Sequence, residues 1–262
     1  MGESEEWYLE YEILLNRPGL LGDIASLLGM LRINIVTING VKDGRRGMLL
    51  LTKNPCQIER LGPILETMET IRVTKLRKPT LRDRLAVRHG RYIQRDADDK
   101  KTFRFTREEI GLLVDFMSEL FNKEGHMLIG IRGMPRVGKT ESIVAASVSA
   151  NKRWVIVSST LIKQTLRNRL MEEEYHENHV FLLDGAVSVK QGSESHWSLI
   201  RELMGLPAVK IVEHPDIFIR HSEYTYDDFH YLIELRNDPD EEIPYDEHHS
   251  SYFMKMDGYD FI

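Results

Sequence analysis

The chain has 262 residues, of which 42% are hydrophobic and 29% charged, so it is long enough to bury the cores of two domains. Its formal net charge of −6 argues against a dedicated nucleic-acid-binding protein, and its single cysteine, Cys56, excludes a disulfide within the chain and favours a reducing compartment. The N-terminus is acidic without an apolar secretory core, and every apolar run is too short to span a membrane, so we expect a cytoplasmic protein.

Four strands and two helices are predicted in the first 77 residues. Alternating and β-branched residues predict strands at 7–15, 34–41, 47–52 and 71–76. Apolar residues at helical spacing predict one helix that begins near Pro18 and another over residues 57–68. The order βαββαβ is that of the ferredoxin-like arrangement, in which two helices cover one face of a four-stranded sheet.

The first turn of this domain resembles that of the ACT domain, a small-molecule-sensing module of amino-acid metabolism. The resemblance rests on Asn-Arg-Pro-Gly-Leu-Leu-Gly-Asp-Ile-Ala at residues 16–25 and on Ile-Asn-Ile at residues 33–35. It implies an effector, commonly an amino acid, bound where the first strand turns into the first helix, often across a homodimer of such domains. The matching effector positions are Gly19, Leu20, Leu21, Gly22, Asp23 and Asn34. Alternatively, the domain could have kept this fold for dimerisation and lost its effector pocket, since a fold does not determine a function.

Residues 78–106 are expected to form a basic connector. The eight basic residues from 75 to 95, against Asp83 alone, are Lys75, Arg77, Lys78, Arg82, Arg84, Arg88, Arg91 and Arg95. Such a run is either simply solvated or faces an anionic partner. One candidate partner is the acidic C-terminal tail, with Asp238, Asp240, Glu241, Glu242, Asp246 and Glu247. Nucleic acid is less favoured, because Tyr92 is the single aromatic residue available for base stacking.

Strands alternate with helices from residue 107 onward, which indicates an α/β domain with a mainly parallel sheet. The predicted strands are residues 127–131, 154–159, 179–184 and 208–213, and the predicted helices are residues 110–121, 141–147 and 161–171. In such a sheet the ligand crevice lies at the carboxyl ends of the strands. We therefore expect a nucleotide-binding domain over residues 107–262, next to an ACT-like domain over residues 1–77.

Residues 133–140 have the pattern G-x-x-x-x-G-K-[ST] of a phosphate-binding loop, the P-loop or Walker A motif, between a predicted strand and a predicted helix. Its two glycines permit positive φ angles and a close backbone approach, so that successive N–H groups surround a phosphate at a helix N-terminus. The predicted nucleotide-binding residues are Gly133, Met134, Pro135, Arg136, Val137, Gly138, Lys139, Thr140 and Glu141. The alternative is an ordinary glycine-rich turn before a helix.

A magnesium site is predicted beside this loop. Thr140 supplies a hydroxyl, and Asp184, which ends an apolar run, resembles the acidic Walker B residue that orients Mg²⁺. The same aspartate could instead be a turn residue. Gly185 and Ala186 follow it, so the water-activating glutamate of motor-type and recombinase-type ATPases is missing, as is the guanine-reading N-K-x-D motif.

Catalytic residues are harder to place. Lys139, Arg136 and Arg167 are the candidates, because cations stabilise the charge on a transferred phosphoryl group. An acceptor substrate could contact Ser158, Ser159 and Thr160, and His214 is a possible general base that is more often a turn residue. The adjacent His248 and His249 are rejected as a metal site.

As a whole, the chain resembles the YmfK-like family of proteins that join an ACT domain to a P-loop, which implies an architecture but no activity. We expect a regulatory protein that binds ATP or GTP with Mg²⁺ and senses a small molecule such as an amino acid through its ACT-like domain. Whether it hydrolyses nucleotide, as an ATPase or a GTPase, stays open. The alternatives are a small-molecule kinase with an allosteric ACT domain, and a non-catalytic regulator that binds an anionic partner through the basic connector.

Overall fold

The computed structural model describes residues 4–159, 165–241 and 243, and the chain divides into two compact units, Met1–Gln94 and Arg95–Ile262. Thr160, the start of the predicted helix at residues 161–171, and the tail residues Glu242, Asp246 and Glu247 lie outside the described residues, as do His248 and His249. Within the described ranges, each helix is too short or too polar to cross a membrane.

The first unit contains a four-stranded antiparallel sheet with the order β2-β3-β1-β4. Its elements are β1 (Glu5–Ile13), α1 (Leu20–Met30), β2 (Asn34–Lys42), β3 (Arg45–Thr52), α2 (Cys56–Glu66), β4 (Ile71–Arg77) and α3 (Leu81–His89). The first six follow the predicted βαββαβ order. Because side chains alternate along β1, Leu9 and Tyr11 pack with Ile24 and Leu28 of α1, whereas Tyr8 faces the other way.

Helix α3 lies within the stretch expected to be a connector, and it packs against β2 and β3 instead. Its Ala86 and Val87 are buried with Tyr8 on the sheet face opposite α1 and α2. The helix is well capped, because the Asp83 carboxylate accepts a hydrogen bond from the Thr80 N–H at 2.8 Å. Residues 78–94 therefore belong to the first unit, and residues 95–106 begin the second.

Several basic side chains of this stretch form ion pairs with carboxylates of the first unit. Arg77 makes two hydrogen bonds to Asp83, at 2.7 and 3.1 Å. The other pairs reach back to β1 and join Lys75 to Glu10, Lys78 to Glu5 and Arg84 to Glu6. These glutamates lie about seventy positions earlier in the chain, so a window of local sequence shows the cations without their partners.

Glu10 is the centre of a buried polar cluster. Its side chain is fully buried and accepts hydrogen bonds from Lys75 at 2.8 Å, Thr74 at 2.8 Å, Tyr8 at 3.0 Å and from Tyr92. Burial by itself raises the pKa of this carboxyl, but the hydrogen bonds outweigh burial and lower the pKa from 4.5 to about 2. The ionised form of Glu10 therefore stabilises the first unit.

We expect Glu10→Gln to lower the free energy of unfolding by about 1–2 kcal/mol at neutral pH, a value reduced for the one-third exposure of Lys75. Because the folded pKa is depressed, this contribution is present above the unfolded value and is lost as the pH falls from about 5 to about 2. Urea unfolding across this range should show a flatter pH profile in the variant than in the wild type. The exposed Glu59→Gln is the control, and superimposable profiles for wild type and Glu10→Gln would contradict the assignment.

The second unit is a mixed α/β structure. Among its described residues, seven strands form one sheet with the order β5-β6-β13-β7-β12-β11-β8, and the strands from β6 to β8 pair in parallel. Its strands are β5 (Gln94–Arg95), whose first residue is the last of the first unit, β6 (Thr102–Thr106), β7 (Met127–Gly133), β8 (Arg153–Ile156), β9 (Ser158–Ser159), β10 (Thr165–Leu166), β11 (His179–Asp184), β12 (Val209–Glu213) and β13 (Tyr231–Arg236). Its helices are α4 (Ile110–Phe121), α5 (Lys139–Ser149), α6 (Gly185–Gln191), α7 (Glu194–Met204) and α8 (Pro215–Arg220).

Two parts of this unit differ from the expectation. Strands β6 and β13 extend the sheet beyond β7, and they were missed because each carries a charge in a buried strand, Arg104 and Glu234, which pair at 2.9 Å. The predicted helix at residues 161–171 is wrong over its described part. Thr165–Leu166 is the strand β10, antiparallel to β9, and the N–H of Arg167 donates to the carbonyl of Val157 at 2.9 Å.

Candidate functional site

The glycine-rich loop, residues 133–140, connects the carboxyl end of β7 to the first turn of α5. Gly133 and Gly138 have φ angles of 151° and 108°, in the region that side chains rarely adopt. A Cβ atom on Gly133 would lie 2.4 Å from the carbonyl oxygen of Leu235. Arg136 is exposed and also has a positive φ, 64°, which is a strained conformation for a residue with a side chain. Both glycines of the loop therefore occupy positions whose backbone conformation disfavours any residue with a side chain.

Lys139 turns its ammonium group back into the loop. Nζ donates to the carbonyl oxygens of Gly133 at 2.8 Å and of Met134 at 3.0 Å, and only 6% of the residue is exposed. Burial lowers the pKa of this ammonium group, while the carboxylates of Glu213, Asp184 and Glu141 oppose that shift. The ammonium charge of Lys139, the backbone N–H groups of the loop and the N-terminus of α5 all attract negative charge. The loop therefore favours the binding of an anion.

The strand order decides which carboxylate lies nearest the loop. β12 lies between β7 and β11, so its last residue, Glu213, is in register with Ile131 on one side and with Asp184 on the other. The Thr140 hydroxyl donates to Glu213 Oε1 at 2.6 Å. Burial raises the pKa of Glu213, and the Thr140 hydrogen bond and the nearby Lys139 charge counteract that rise. Glu213 thus joins the loop directly, although the sequence predicted only Asp184.

Asp184, the predicted metal ligand, is buried at the carboxyl end of β11 and caps helix α6. Its Oδ1 accepts hydrogen bonds from the N–H groups of Ala186 at 3.0 Å and Val187 at 3.1 Å. Its own N–H donates to the Ser158 hydroxyl oxygen at 2.8 Å. The carboxylate therefore has a defined structural task as a helix cap.

A buried hydrogen-bonded chain continues from Ser158 away from Asp184. Ser158 Oγ lies 2.9 Å from Ser188 Oγ, which lies 3.0 Å from His196 Nε2. His196 Nδ1 contacts the carbonyl oxygen of Arg167, which can only accept, so Nδ1 carries the proton and Nε2 accepts from Ser188. Burial lowers the pKa of His196, in keeping with a neutral ring. Ser158, expected to contact an acceptor substrate, is used inside the protein instead.

The predicted catalytic arginines are placed differently. Arg136 lies in the glycine-rich loop itself, where the sequence predicted it. Arg167 is not on a helix, and its guanidinium makes two hydrogen bonds of 2.8 Å to Glu174. That bidentate ion pair occupies the group that was expected to face a phosphate. His214 has a φ of 56° and is the cap residue of α8, as expected for a turn residue.

Five of the six predicted effector positions, Gly19 to Asp23, lie at the start of α1 in the first unit. Gly19 has a φ of 84° and is the N-cap residue of α1, while Leu20 is buried and Leu21 is half exposed. Asp23 pairs with Arg17 on the surface, and Asn34 is exposed at the start of the edge strand β2. Gly22 is also exposed. Residues 19 and 21–23 therefore form an accessible surface at the first turn. Asn34 is in register with Leu51, which pairs with Glu6 near the start of β1, so the structure places it at the opposite end of the sheet from this turn.

The chemistry of the groups around the loop fits Mg²⁺. Thr140, Glu213 and Asp184 offer oxygen atoms, the ligands that Mg²⁺ prefers. Within the part of the chain that the structure describes, no group of three or more His, Cys, Asp or Glu side chains forms a complete metal site. An ion at this edge would therefore need phosphate oxygens and water as further ligands, which is how Mg²⁺ binds in phosphate-transferring proteins.

Glu213 is the site residue that the sequence interpretation missed. A signal was present, because Val-Lys-Ile-Val-Glu at residues 209–213 ends an apolar strand with a carboxylate, just as Val-Phe-Leu-Leu-Asp does at residues 180–184. Lys210 interrupts the apolar run, yet it is fully buried in the sheet. What the sequence could not give is the order of the strands, which puts residue 213 next to β7.

Comparisons with known proteins found a family model and a related protein that match this chain. Residues 73–262 match the model of a family described as "Protein of unknown function (DUF3388)". The chain is also 69% identical over 254 residues to a protein of Bacillus subtilis (strain 168) described as "Uncharacterized protein YmfK", which covers 97% of this chain and 94% of that protein. The family match includes the glycine-rich loop and both strands that end in a carboxylate.

Proposed function

The chain belongs to the DUF3388 family, and we propose that it is a nucleoside-triphosphate-binding regulatory protein. The observation that carries the proposal is the glycine-rich loop at the carboxyl edge of a parallel sheet, with the Lys139 ammonium turned into it. In this proposal the β- and γ-phosphates take the place of the Gly133 and Met134 carbonyls as partners of Lys139. The N–H groups at the start of α5 then donate to the phosphate oxygens.

Mg²⁺ is part of the proposal because the loop threonine and the strand carboxylates provide hard oxygen ligands. When bound, the ion would neutralise negative charge on the phosphate oxygens. Thr140 would offer its hydroxyl oxygen, and the charges of Glu213 and Asp184 would balance the ion. Lys139 would remain between the loop and the phosphates, where its burial strengthens its attraction for them.

The alternatives have less support from the geometry. A small-molecule kinase was expected to use Ser158 and Arg167 near an acceptor, but Ser158 bonds to Asp184 and Ser188, and Arg167 to Glu174. A regulator that binds an anion through the basic stretch was expected to present free cations, whereas Lys75 and Arg77 have carboxylate partners. We therefore favour nucleotide binding as the primary activity and treat hydrolysis as a separate question.

A thermal-shift series with ATP and GTP, each with Mg²⁺ or with EDTA, tests the proposal. A ligand at about one hundred times its dissociation constant should stabilise the second unit by about 2.7 kcal/mol. The shift should be larger with Mg²⁺ than with EDTA. An unchanged melting temperature with either nucleotide, in protein whose unfolding is cooperative, would contradict the proposal.

We also propose that the first unit senses a small molecule, such as an amino acid, at the turn that begins with Gly19. If sensing regulates the nucleotide site, an amino acid that binds should do so with an affinity that changes by about 5- to 150-fold when nucleotide is present, and the reciprocal change must be equal. Calorimetric titrations of the standard amino acids, with and without nucleotide, measure both. Equal affinities in the two series would remove the coupling.

A homodimer through the first unit is a further part of the sensing proposal. β2 is an edge strand that exposes Ile35 and Val36, and a strand edge with exposed apolar side chains readily pairs with a second copy. Sedimentation of the wild type and of Val36→Lys tests it. We expect a dimer that the charged variant dissociates, and a monomeric wild type would contradict the expectation.

A further inference from the structure

The hydroxyl of Thr140 is already oriented in the structure. Its oxygen lies 2.6 Å from Glu213 Oε1, and a carboxylate oxygen only accepts, so the hydroxyl donates its proton to Glu213. This leaves the lone pairs of the Thr140 oxygen for another partner. A threonine that must ligate a cation needs this arrangement, because a hydroxyl proton aimed at the ion would repel it.

Asp184 is less suited to that task. Its strand, β11, is separated from β7 by β12, so it lies one strand further from the loop than Glu213. Its Oδ1 atom accepts two backbone N–H groups of α6. Moving this carboxylate toward a metal would uncap the helix, which typically costs about 1 kcal/mol.

We infer that Glu213, rather than Asp184, is the carboxylate that works with Thr140 at the metal of the nucleotide site. This inference rests on the proposed function and names its acidic residue. Glu213 is a positioning residue for the Thr140 hydroxyl, and its negative charge balances the ion. The acidic residue of the proposed site is thus assigned to β12, which lies beside β7, instead of to β11, which the sequence suggested.

The test is calorimetric titration of ATP and GTP into the full chain, with Mg²⁺ and with EDTA, for wild type, Glu213→Gln and Asp184→Asn. Both substitutions keep the shape and remove the charge, and asparagine is as good a helix cap as aspartate. The measured quantity is the ratio of the affinity with Mg²⁺ to the affinity with EDTA. We expect Glu213→Gln to lower this ratio about tenfold or more, the usual effect of removing a partner of a metal ligand, and Asp184→Asn to lower it less than about threefold.

Thr140→Val is a second variant that keeps the inference open to refutation. It should lower the same ratio to a similar extent, and the double variant with Glu213→Gln should add little, because the two residues act together. A purely structural role of Glu213 would instead reduce the affinities with Mg²⁺ and with EDTA equally. That result, or an equal or larger effect of Asp184→Asn, would overturn the inference.

The outcomes for the two proposals differ. A wild type that binds nucleotide without any effect of Mg²⁺ overturns the role of Glu213 and leaves the proposed function intact. A wild type that binds neither nucleotide overturns the proposed function, and the inference falls with it.

Discussion

Lys139→Ala is expected to reduce the affinity for ATP or GTP about 100-fold, equivalent to about 2.7 kcal/mol, without unfolding the protein. The substitution removes the cation that the loop holds 2.8 Å from the carbonyl oxygen of Gly133, where a phosphate would take over the contact. Its effect on the empty protein should be small, because the loss of two hydrogen bonds is offset by removing a buried charge. Titration calorimetry measures the affinity, and urea unfolding checks the fold.

Lys152→Ala is the matched control for the Lys139 variant, because it removes the same charge from a partly exposed side chain just after α5. It should leave the affinity for nucleotide within about twofold of the wild type, since exposed charges are screened by salt. If Lys139→Ala also stayed within that range, the glycine-rich loop would not be a phosphate site.

Gly133→Ala is expected to lower the free energy of unfolding of the second unit by about 3 kcal/mol. Two causes combine, because a φ of 151° is strained for alanine and its Cβ would meet the Leu235 carbonyl oxygen at 2.4 Å. That oxygen belongs to the backbone of β13, so it cannot rotate away as a side chain can. Relief of the clash would have to separate β13 from β7 or displace the loop.

Gly111→Ala is the control for the Gly133 variant. Gly111 lies in α4, and a Cβ there would meet nothing within 4 Å. Alanine is the better helix former, so this variant should be neutral or more stable by up to about 1 kcal/mol. Urea unfolding, followed separately for the two units, gives both values, and equal stabilities for the two variants would contradict the packing described for the loop.

Local sequence was enough to predict the elements that form the loop. Gly133, Gly138 and Lys139 have fixed spacing in a single segment, and the strand before and the helix after have clear apolar patterns. The βαββαβ order of the first unit was equally accessible, because its turns carry Pro18 and Gly44 at the expected places. In both cases the information lies within a few neighbouring residues.

The parts that could not be predicted depend on contacts between distant residues. Glu213 and Thr140 are 73 positions apart, and only the order of the strands brings them together. Glu234 is buried in β13 and pairs with Arg104, 130 positions away. Because a charged residue interrupts the apolar pattern of a buried strand, β13 was not predicted from the sequence. Lys78 and Glu5, likewise 73 positions apart, form an ion pair within the first unit, in a stretch that the sequence predicted as a connector.

These long-range pairs also change what the charge pattern means. The run of cations was expected to be either solvated or paired with an anionic partner such as the acidic tail, yet Lys75 and Arg84 are paired with glutamates of β1. By contrast, the charge of Lys139 is buried among backbone carbonyls, with carboxylates nearby. Lys139 is therefore the cation on which the proposed phosphate site depends.

Direct titration of nucleotide into the wild-type chain tests nucleotide binding most directly. With Mg²⁺ present, we predict one saturable site per chain for ATP or for GTP, and its loss in Lys139→Ala. Binding of neither nucleotide at concentrations up to about 1 mM, in protein shown to be folded by its unfolding transition, would contradict the assignment of residues 133–140 as a phosphate-binding loop.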